Sequence, residues 1–267
     1  MAERRQYGAG PDDGRAPSPI LAEALRLIEV AEIAGVPLRL VGGLAVQARS
    51  HGWLPAEREQ RDIDLAARRR DRAAIVDILE GLNYQADRRF NALHGHKQLY
   101  FVDARTNTPL DVILDELDMC HKLDFTNRLE IDHLTLPLAD LVLTKLQIVR
   151  VNRKDLIDVM TLMHGYPLTP GDERGINVDR IVSVTRDDWG WWRTVRGNLV
   201  KGLEILGLER PLGPEPLSPE SHARIADGLN GLLRAIDVAP KSLRWKLRAR
   251  VGERVRWYEE PEEEEHG

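Results

Sequence analysis

Apolar residues follow two kinds of spacing along this chain, and the change from one to the other indicates the fold class. In the first part, short apolar runs bounded by turn residues, which are typical of strands, alternate with stretches of three-to-four spacing, which is typical of helices. Beyond Pro167 only the helical spacing recurs. The pattern predicts an α/β (α+β) fold, with a small mixed β-sheet core flanked by helices and followed by an all-helical C-terminal region.

The same pattern, with the residues that bound it, predicts the individual elements. Ser18 and Pro19 are typical of the start of a helix, and Gly35 is typical of its end. Strands are predicted over 36–41, 63–66, 98–102 and 110–114. Further helices are predicted over 44–51, 71–82, 138–149, 154–164, 178–183, 189–206, 219–236 and 241–258.

These elements divide the chain into four segments. Residues 1–17 are rich in Gly, Pro, Arg and Asp, and we expect them to be disordered. Residues 18–166 contain the predicted sheet and form the first domain. A Pro- and Gly-containing stretch starting at Pro167 then marks a boundary, so 167–258 form a helical C-terminal domain. Residues 259–267 form an acidic tail.

Composition excludes several classes of protein. Hydrophobic residues make up 42% and charged residues 30% of the 267 positions, as in globular proteins in water. No apolar run reaches the roughly 20 residues that a membrane-spanning helix needs, and the first residues lack the apolar core of a signal peptide. Cys120 is the single cysteine, which excludes an internal disulfide and a cysteine-based metal cluster. We therefore expect a cytoplasmic protein with no membrane partner.

Charge is distributed unevenly near the C-terminus. Six glutamates, at 259, 260 and 262–265, turn a net charge of +1 for the rest of the chain into −5. The predicted last helix before them carries Arg244, Lys246, Arg248, Arg250, Arg254 and Arg256. Such a helix can follow a nucleic-acid backbone, or its basic side chains can surround a buried stripe of Leu243, Leu247 and Val251. A similar choice, between stacking on bases and packing in the core, applies to Trp189, Trp191 and Trp192.

Two glycines, Gly42 and Gly43, follow the first predicted strand and precede a helix. Glycine lets phosphate groups approach the backbone closely, and the start of the following helix favours anions. The alternative is an ordinary tight turn between a strand and a helix. The glycine pair alone does not decide between them.

Three carboxylates further along favour a metal site. Asp62 and Asp64 are two apart at a strand, so they share one face and repel each other unless a cation lies between them. Asp111 interrupts an apolar strand, where a charge is costly unless it is paired or bound to metal. Magnesium takes such hard oxygen ligands and leaves positions open for substrate phosphates. The alternatives are a solvated strand end for Asp62 and Asp64 and a water-facing strand edge for Asp111.

A strand is followed by Gly42-Gly43, a helix, Asp62-Ile63-Asp64 and then the strand with Asp111. The order of these elements resembles the nucleotidyltransferase superfamily with the fold of DNA polymerase β. Within it the chain looks most like the AbiEii-type toxin nucleotidyltransferases of bacterial toxin–antitoxin and phage-defence systems. Two further matches are Arg58, four residues before Asp62, and Lys145 followed by Lys154-Asp155-Leu156-Ile157-Asp158. The resemblance covers about residues 36–165. Gln60 departs from it, since threonine is usual there, and the stretch between Gly43 and Asp62 is longer than in compact members.

The resemblance implies a role for each matching residue. Gly42 and Gly43 would hold the triphosphate. The metal ligands would be Asp62, Asp64 and Asp111, which bind two Mg²⁺ ions or Mn²⁺, and Asp111 would alternatively deprotonate the acceptor hydroxyl. Phosphate charge would be neutralised by Arg58 or Lys145. Asp155 and Asp158 share a helix face, and Asp155 would join the nucleotide site, unless it only favours the start of its helix.

The resemblance also implies a reaction and partners. A nucleoside monophosphate would be transferred from a nucleoside triphosphate to a macromolecular acceptor, either tRNA or protein, and a cognate antitoxin would inhibit the enzyme. One alternative is an adenylyltransferase for a small molecule such as an aminoglycoside, for which an acidic cleft is expected. The other is a non-catalytic nucleotidyltransferase-like domain that serves as an interaction partner.

Overall fold

The computed structural model describes residues 17–50, 60–208 and 217–260. The predictions for residues 1–16, for Arg58 and for tail residues 261–267 therefore lie outside the described residues. The boundaries proposed for the domains stay predictions.

The described residues form helices and short strands in nearly the order predicted. The helices are α1 (Pro19–Ile33), α2 (Gly42–Arg49), α3 (Arg72–Gly81), α4 (Arg88–His94), α5 (Leu138–Leu146), α6 (Arg153–Gly165), α7 (Val178–Asp187), α8 (Trp189–Gly207), α9 (Pro219–Val238) and α10 (Leu243–Val251). The strands are β1 (Arg39–Leu40), β2 (Ile63–Ala67), β3 (Tyr84–Ala86), β4 (Gln98–Asp103), β5 (Pro109–Leu114), β6 (Glu116–Asp118), β7 (Lys122–Asp124), β8 (Leu168–Thr169) and β9 (Ile176–Asn177). Single 3₁₀ turns cover Arg69–Asp71 and Gly252–Arg254.

Five strands form the central sheet in the order β1-β2-β5-β4-β3. Its central pair, β2 and β5, is parallel, and every other neighbouring pair is antiparallel. The predicted α/β fold with a small mixed sheet flanked by helices is therefore confirmed.

Burial alternates along β4 and β5, which gives the sheet a closed face and a more open one. Leu99 and Phe101 have no exposed surface and belong to the core. Tyr100 and Asp111 point to the other face and are partly exposed, and they are register partners across β4 and β5. Asp64 in β2 is also partly exposed beside them. The closed face joins a single apolar cluster that extends from Ala24 in α1 to Ile236 in α9, and burial of this cluster stabilises the fold.

Several predicted elements differ in extent. The first strand covers only Arg39–Leu40, because the chain enters α2 at Gly42; the Val41 N–H still bonds to the Asp64 carbonyl at 3.0 Å. The last helix ends at Val251, where Gly252 has a φ of +59°, rather than at residue 258. The region predicted to be all-helical also contains the two-residue parallel pair β8 and β9. The first helix is as predicted: it begins after Ser18, whose side chain accepts from the Leu21 N–H.

Of the two alternatives for the last helix, the buried apolar stripe is wrong. Leu243, Leu247 and Val251 are 73%, 52% and 41% exposed, and α10 has no buried residue. Its basic side chains therefore do not surround a buried apolar stripe.

A buried ion network, which the sequence pattern did not indicate, ties α5 to its neighbours. Asp140 has no exposed surface, and its carboxylate accepts from Arg128 at 2.7 Å and from Arg180 of α7 at 2.9 Å. Arg128 also pairs with Asp172 at 2.7 Å. A buried charge without these partners would be strongly destabilising, so the network fixes α5, the helix that carries Lys145.

None of the helices in the described ranges is both long enough and apolar enough to cross a membrane.

Candidate active site

Gly42 begins α2 directly against Asp64. Its φ of +67° is one that residues with a side chain rarely adopt. A Cβ placed there would overlap Oδ2 of Asp64. Asp64 therefore lies against the start of α2, and Gly42 is required both by its backbone conformation and by this close approach.

Gly43 makes a similar contact with a different partner. A Cβ at Gly43 would lie 2.5 Å from Oε1 of Gln60, so the glutamine side chain rests against the helix start. Gln60 is the residue that departs from the usual threonine of the resembled family. Both glycines thus lie in the first turn of α2, where the prediction placed a turn before a helix that starts at Leu44.

Asp64 and Asp111 are brought together by strand pairing. They are register partners on the parallel strands β2 and β5. Residues paired in this way have side chains on the same face of the sheet. Asp62 lies just before β2, is exposed, and is two residues from Asp64. The structure therefore brings these three predicted site residues to one region of the open face.

The electrostatics of Asp64 reflect this grouping. Burial raises the pKa of the Asp64 carboxyl to about 7, and the negative charges of Asp62 and then Asp111 add to the shift. The positive charge of Lys145 acts in the opposite direction. Near neutral pH this carboxyl therefore carries a proton part of the time, which a bound cation would displace.

Asp111 has two neighbours that sequence reasoning missed. The Gln98 side-chain amide donates to Oδ1 of Asp111 at 2.5 Å. Tyr100 is the register partner of Asp111 on β4, and burial, with the charges of Asp111 and Asp87, raises the pKa of its hydroxyl above the usual value. Alternation along β4 places Gln98 and Tyr100 on one face, but the register with β5 is not visible in the sequence.

Lys145 lies between two carboxylates of the following helix. Its ammonium nitrogen is 3.0 Å from Oδ1 of Asp155 and 2.8 Å from Oδ2 of Asp158, and all three residues are buried. These carboxylates raise the pKa of Lys145 against the effect of burial, which lowers it. The predicted common face of Asp155 and Asp158 is confirmed, and Asp155 is also in the first turn of α6, where its N–H donates to the Asn152 side chain at 2.9 Å.

The donor chemistry of the three carboxylates fits a hard divalent cation. They supply only oxygen ligands, which Mg²⁺ prefers, and the repulsion that raises the pKa of Asp64 is what a cation relieves. Within the described ranges, however, no three His, Cys, Asp or Glu side chains already stand in a finished metal-binding arrangement. The carboxylates therefore fit the cation by their chemistry and placement, and their side chains have to adjust to bind it.

A small cleft borders Tyr100 on the same sheet, and the three carboxylates are not among its described lining residues. It has a volume of about 380 Å³, and Tyr100, the strand partner of Asp111, is among its lining residues. The other polar residues around it are Gln85, Asp87 and Asn107. Its position next to Tyr100 makes it a candidate place for an acceptor group.

Comparisons with known proteins return distant structural matches. No protein-family model matches the sequence, and no curated protein matches it significantly. The lincomycin-bound lincosamide antibiotic adenylyltransferase LnuA is 16% identical over 43% of this chain and 72% of its own, with a TM-score of 0.32. JHP933 from Helicobacter pylori is 10% identical over 83% of this chain and 95% of its own, with a TM-score of 0.39. Another H. pylori structure, described provisionally as a nucleotidyltransferase, is 10% identical over 83% of this chain and 98% of its own, with a TM-score of 0.40. At these identities and TM-scores the likeness does not decide a function, which rests on the geometry of the site.

Proposed function

We propose that this protein is a magnesium-dependent nucleotidyltransferase, which transfers a nucleoside monophosphate from a nucleoside triphosphate to a macromolecular acceptor. One observation carries the proposal: the paired carboxylates Asp64 and Asp111 lie on the open face of the sheet, and Asp64 touches the glycine start of α2. Paired carboxylates offer ligands for a divalent cation, and a helix start offers N–H groups for the phosphates that the cation accompanies. Each feature is common, and their direct contact supports this function.

The triphosphate and the metal have distinct proposed positions. Gly42 and Gly43 leave room for the triphosphate at the start of α2. Asp62, Asp64 and Asp111 hold two Mg²⁺ ions, or Mn²⁺. When bound, the ions supply charge neutralisation for the leaving pyrophosphate and activation of the acceptor hydroxyl.

The remaining proposed site residues orient the carboxylates, set their ionisation or contact phosphate. Asp111 is proposed to accept the proton of the acceptor hydroxyl, and its hydrogen bond from Gln98 fixes its orientation. Lys145 favours the ionised form of Asp64, because its positive charge opposes the rise in the pKa of that group. Asp155, with Asp158, holds Lys145 in place. Arg58 is proposed to contact phosphate on the resemblance alone.

RNA, and tRNA in particular, is the proposed acceptor. The support is the exposed basic helix α10, since a nucleic-acid backbone is recognised largely through its phosphate charge. The resemblance to AbiEii-type proteins adds the proposal that the enzyme is toxin-like, within a toxin–antitoxin or phage-defence system, and is inhibited by a cognate antitoxin.

Transfer can be tested directly with labelled nucleotides. The purified protein is incubated with Mg²⁺, total tRNA and each α-labelled nucleoside triphosphate in turn, and labelled RNA is expected with at least one of them. Asp64→Ala and Asp111→Ala should abolish labelling. Asp77→Ala, which removes an exposed aspartate of α3, should not. Absence of any labelled product, together with no binding of magnesium–nucleotide in calorimetry, would favour the non-catalytic interaction domain instead.

A second candidate function is transfer to a small molecule. The cleft beside Tyr100 supports it, because its volume of about 380 Å³ and its bordering Asp87 suit a compact, hydroxylated or cationic acceptor better than a folded RNA. This reading predicts antibiotic resistance on expression, whereas the toxin-like reading predicts growth arrest. A panel of aminoglycosides assayed with labelled ATP separates the two.

A further inference from the structure

A second cleft, which contains none of the proposed site residues, lies where the C-terminal segment packs on α8. We call it the Trp–Arg cleft and define it by Trp189, Trp191, Trp245, Trp257, Arg244 and Arg248. Its volume is about 780 Å³, within the range of small-molecule sites. Four of the six tryptophans of the chain border it.

The aromatic walls of the cleft are held in place. Trp189 and Trp191 are only 6% and 5% exposed. Trp191 stacks on His121 with ring centres 4.9 Å apart, and Trp257 packs edge-on against Trp189 at 5.9 Å. The Trp257 indole N–H also donates to Oγ1 of Thr194 at 3.0 Å. Trp189 and Trp191 therefore pack in the core and form the floor of the cleft. The partly exposed rings of Trp245 and Trp257 are the faces on which a nucleobase can stack, and each stacked base contributes about 1–3 kcal/mol.

Positive charge accompanies these rings. The Arg248 guanidinium lies 4.8 Å from the centre of the Trp189 ring and donates to the carbonyls of Gly252 and Val255, both at 2.7 Å. Within the described residues its partners are therefore carbonyl groups and not a carboxylate. Arg244 is exposed and likewise has no ion pair among the described residues. Arg244 can therefore contact an anion directly, and Arg248 adds positive charge beside it.

The acidic residues of the cleft partly offset this charge. Asp188 is already engaged, because its Oδ1 accepts from the Trp191 N–H as the cap of α8. Asp187 pairs loosely with Arg186 at 3.8 Å, and Glu259 is exposed. With four basic and three acidic residues in the lining, the cleft suits a ligand whose planar ring provides most of the contact and which carries little negative charge.

One hydrogen-bond donor in the cleft lacks a partner. The Trp245 indole nitrogen is buried and has no acceptor among the described residues. A buried N–H without an acceptor is unfavourable by roughly 1–3 kcal/mol. A rotation of the partly exposed indole that brings this N–H to an acceptor atom of a ligand would therefore be favoured. Carbonyl and ring-nitrogen acceptors on nucleobases and phosphate oxygens all meet this need.

We propose that the Trp–Arg cleft binds one nucleotide unit, with its base on the tryptophan faces and its phosphate near Arg244 and Arg248. The unit is either a free nucleotide or one residue of a single-stranded RNA, since both present the same ring and phosphate. The cleft shares no residue with the carboxylate site, so this binding does not depend on the proposed transfer reaction.

Binding is measured with the full chain in EDTA, which removes any metal-dependent binding at the carboxylates. The probes are fluorescently labelled hexaadenylate RNA, followed by anisotropy, and AMP as a competitor. We expect saturable binding of the RNA by the wild type in the absence of any divalent metal. Competition by AMP at comparable concentrations would identify a free-nucleotide site, and failure of AMP to compete would identify a site for a residue within RNA.

Three variants locate the binding. Arg244→Ala removes an exposed charge, and Trp245→Phe keeps a ring but removes the unpartnered N–H. Each should weaken binding by about 5-fold or more, as the loss of about 1 kcal/mol implies. The matched control is Arg250→Ala, because Arg250 is also an exposed arginine of α10 but is not among the lining residues of the cleft. The proposal would be overturned if the wild type showed no saturable RNA binding. It would also be overturned if the control variant weakened RNA binding as much as the other two variants while the thermal unfolding of all three variants was unchanged.

Discussion

Asp64 and Asp111 are register partners on parallel strands β2 and β5, so two acidic side chains occupy adjacent positions on one face of the sheet. Burial, with the negative charges of Asp62 and then Asp111, raises the pKa of Asp64 to about 7. Replacing one of the two aspartates by a neutral residue would make the metal-free fold more stable, so stability alone does not explain the pair. The pair therefore makes the metal-free protein less stable near and above neutral pH, and it makes cation binding both favourable and pH-dependent.

Asp64→Asn should stabilise the metal-free protein at high pH. In the unfolded chain an aspartate ionises near pH ~3.9, so between there and pH 7 the unfolded state releases its proton first and the folded wild type loses stability as the pH rises. Asparagine removes this loss. In EDTA at pH 8 we expect the variant to be more stable by roughly 1–3 kcal/mol, and at pH 4 the two proteins should be nearly equal. Urea unfolding at both pH values measures this.

Asp62→Asn is the matched comparison for this effect. Because Asp62 is exposed, its replacement should stabilise the protein far less than Asp64→Asn does. Added Mg²⁺ should raise the thermal midpoint of the wild type at pH 8 and leave that of Asp64→Asn unchanged. Equal stabilisation of the two variants would show that the strand-paired carboxylates do not carry the strain assigned to them.

Gly42→Ala should damage both the fold and nucleotide binding. The positive φ at Gly42 is unfavourable for alanine by about 1–2 kcal/mol, and the new Cβ would also overlap the Asp64 carboxylate. The control is Gly35→Ala, because Gly35 has a φ of +74° but open space around it. We expect Gly42→Ala to lose clearly more stability in urea unfolding than Gly35→Ala, and to be the one of the two that loses magnesium–nucleotide binding in calorimetry. If the two variants behave alike, Asp64 does not lie against α2 as described.

Gln98→Leu should weaken metal binding through Asp111. The glutamine amide fixes one oxygen of Asp111 at 2.5 Å, and loss of such a supporting hydrogen bond typically lowers metal affinity about 10–100-fold. Mn²⁺ titration followed by electron paramagnetic resonance measures the affinity directly. Gln85→Leu, at the exposed glutamine of β3, should leave it unchanged. An unchanged Mn²⁺ affinity in Gln98→Leu would remove Gln98 from the site.

Local sequence signals were enough to predict the elements that carry the site, but not the contacts within it. The strand with Asp64 was predicted over 63–66 and spans Ile63–Ala67, because its apolar run is sharply bounded. By contrast, the contact of Gln98 with Asp111 depends on strand register, and that of Lys145 with Asp155 on the packing of α5 against α6. No repeating spacing of residues in the sequence indicates either contact.

The errors have a similar physical origin. β3 and α4 span three and seven residues, too few to show a repeating pattern. The stripe of Leu243, Leu247 and Val251 has the spacing of a buried face, but spacing alone does not reveal whether another element covers it. Exposure of this stripe is a property of the tertiary arrangement.

Lys145→Met should be strongly destabilising and should also shift the pH dependence of metal binding. The substitution leaves the buried carboxylates of Asp155 and Asp158 without their cation, and breaking a buried ion pair in this way costs about 3–5 kcal/mol. Lys154→Met, at an exposed lysine of α6, should change the free energy of unfolding by less than about 0.5 kcal/mol.

The double variant Lys145→Met with Asp158→Asn isolates the ion pair from the loss of packing. Removing one of the two unpaired carboxylates should recover part of the stability, so the double variant should be more stable in urea than Lys145→Met alone. It also gives folded protein for Mn²⁺ titration. Because Lys145 opposes the rise in the pKa of Asp64, its loss should move the pH midpoint of Mn²⁺ binding upward from the wild-type value. A recovered fold with an unchanged midpoint would confine Lys145 to a structural role.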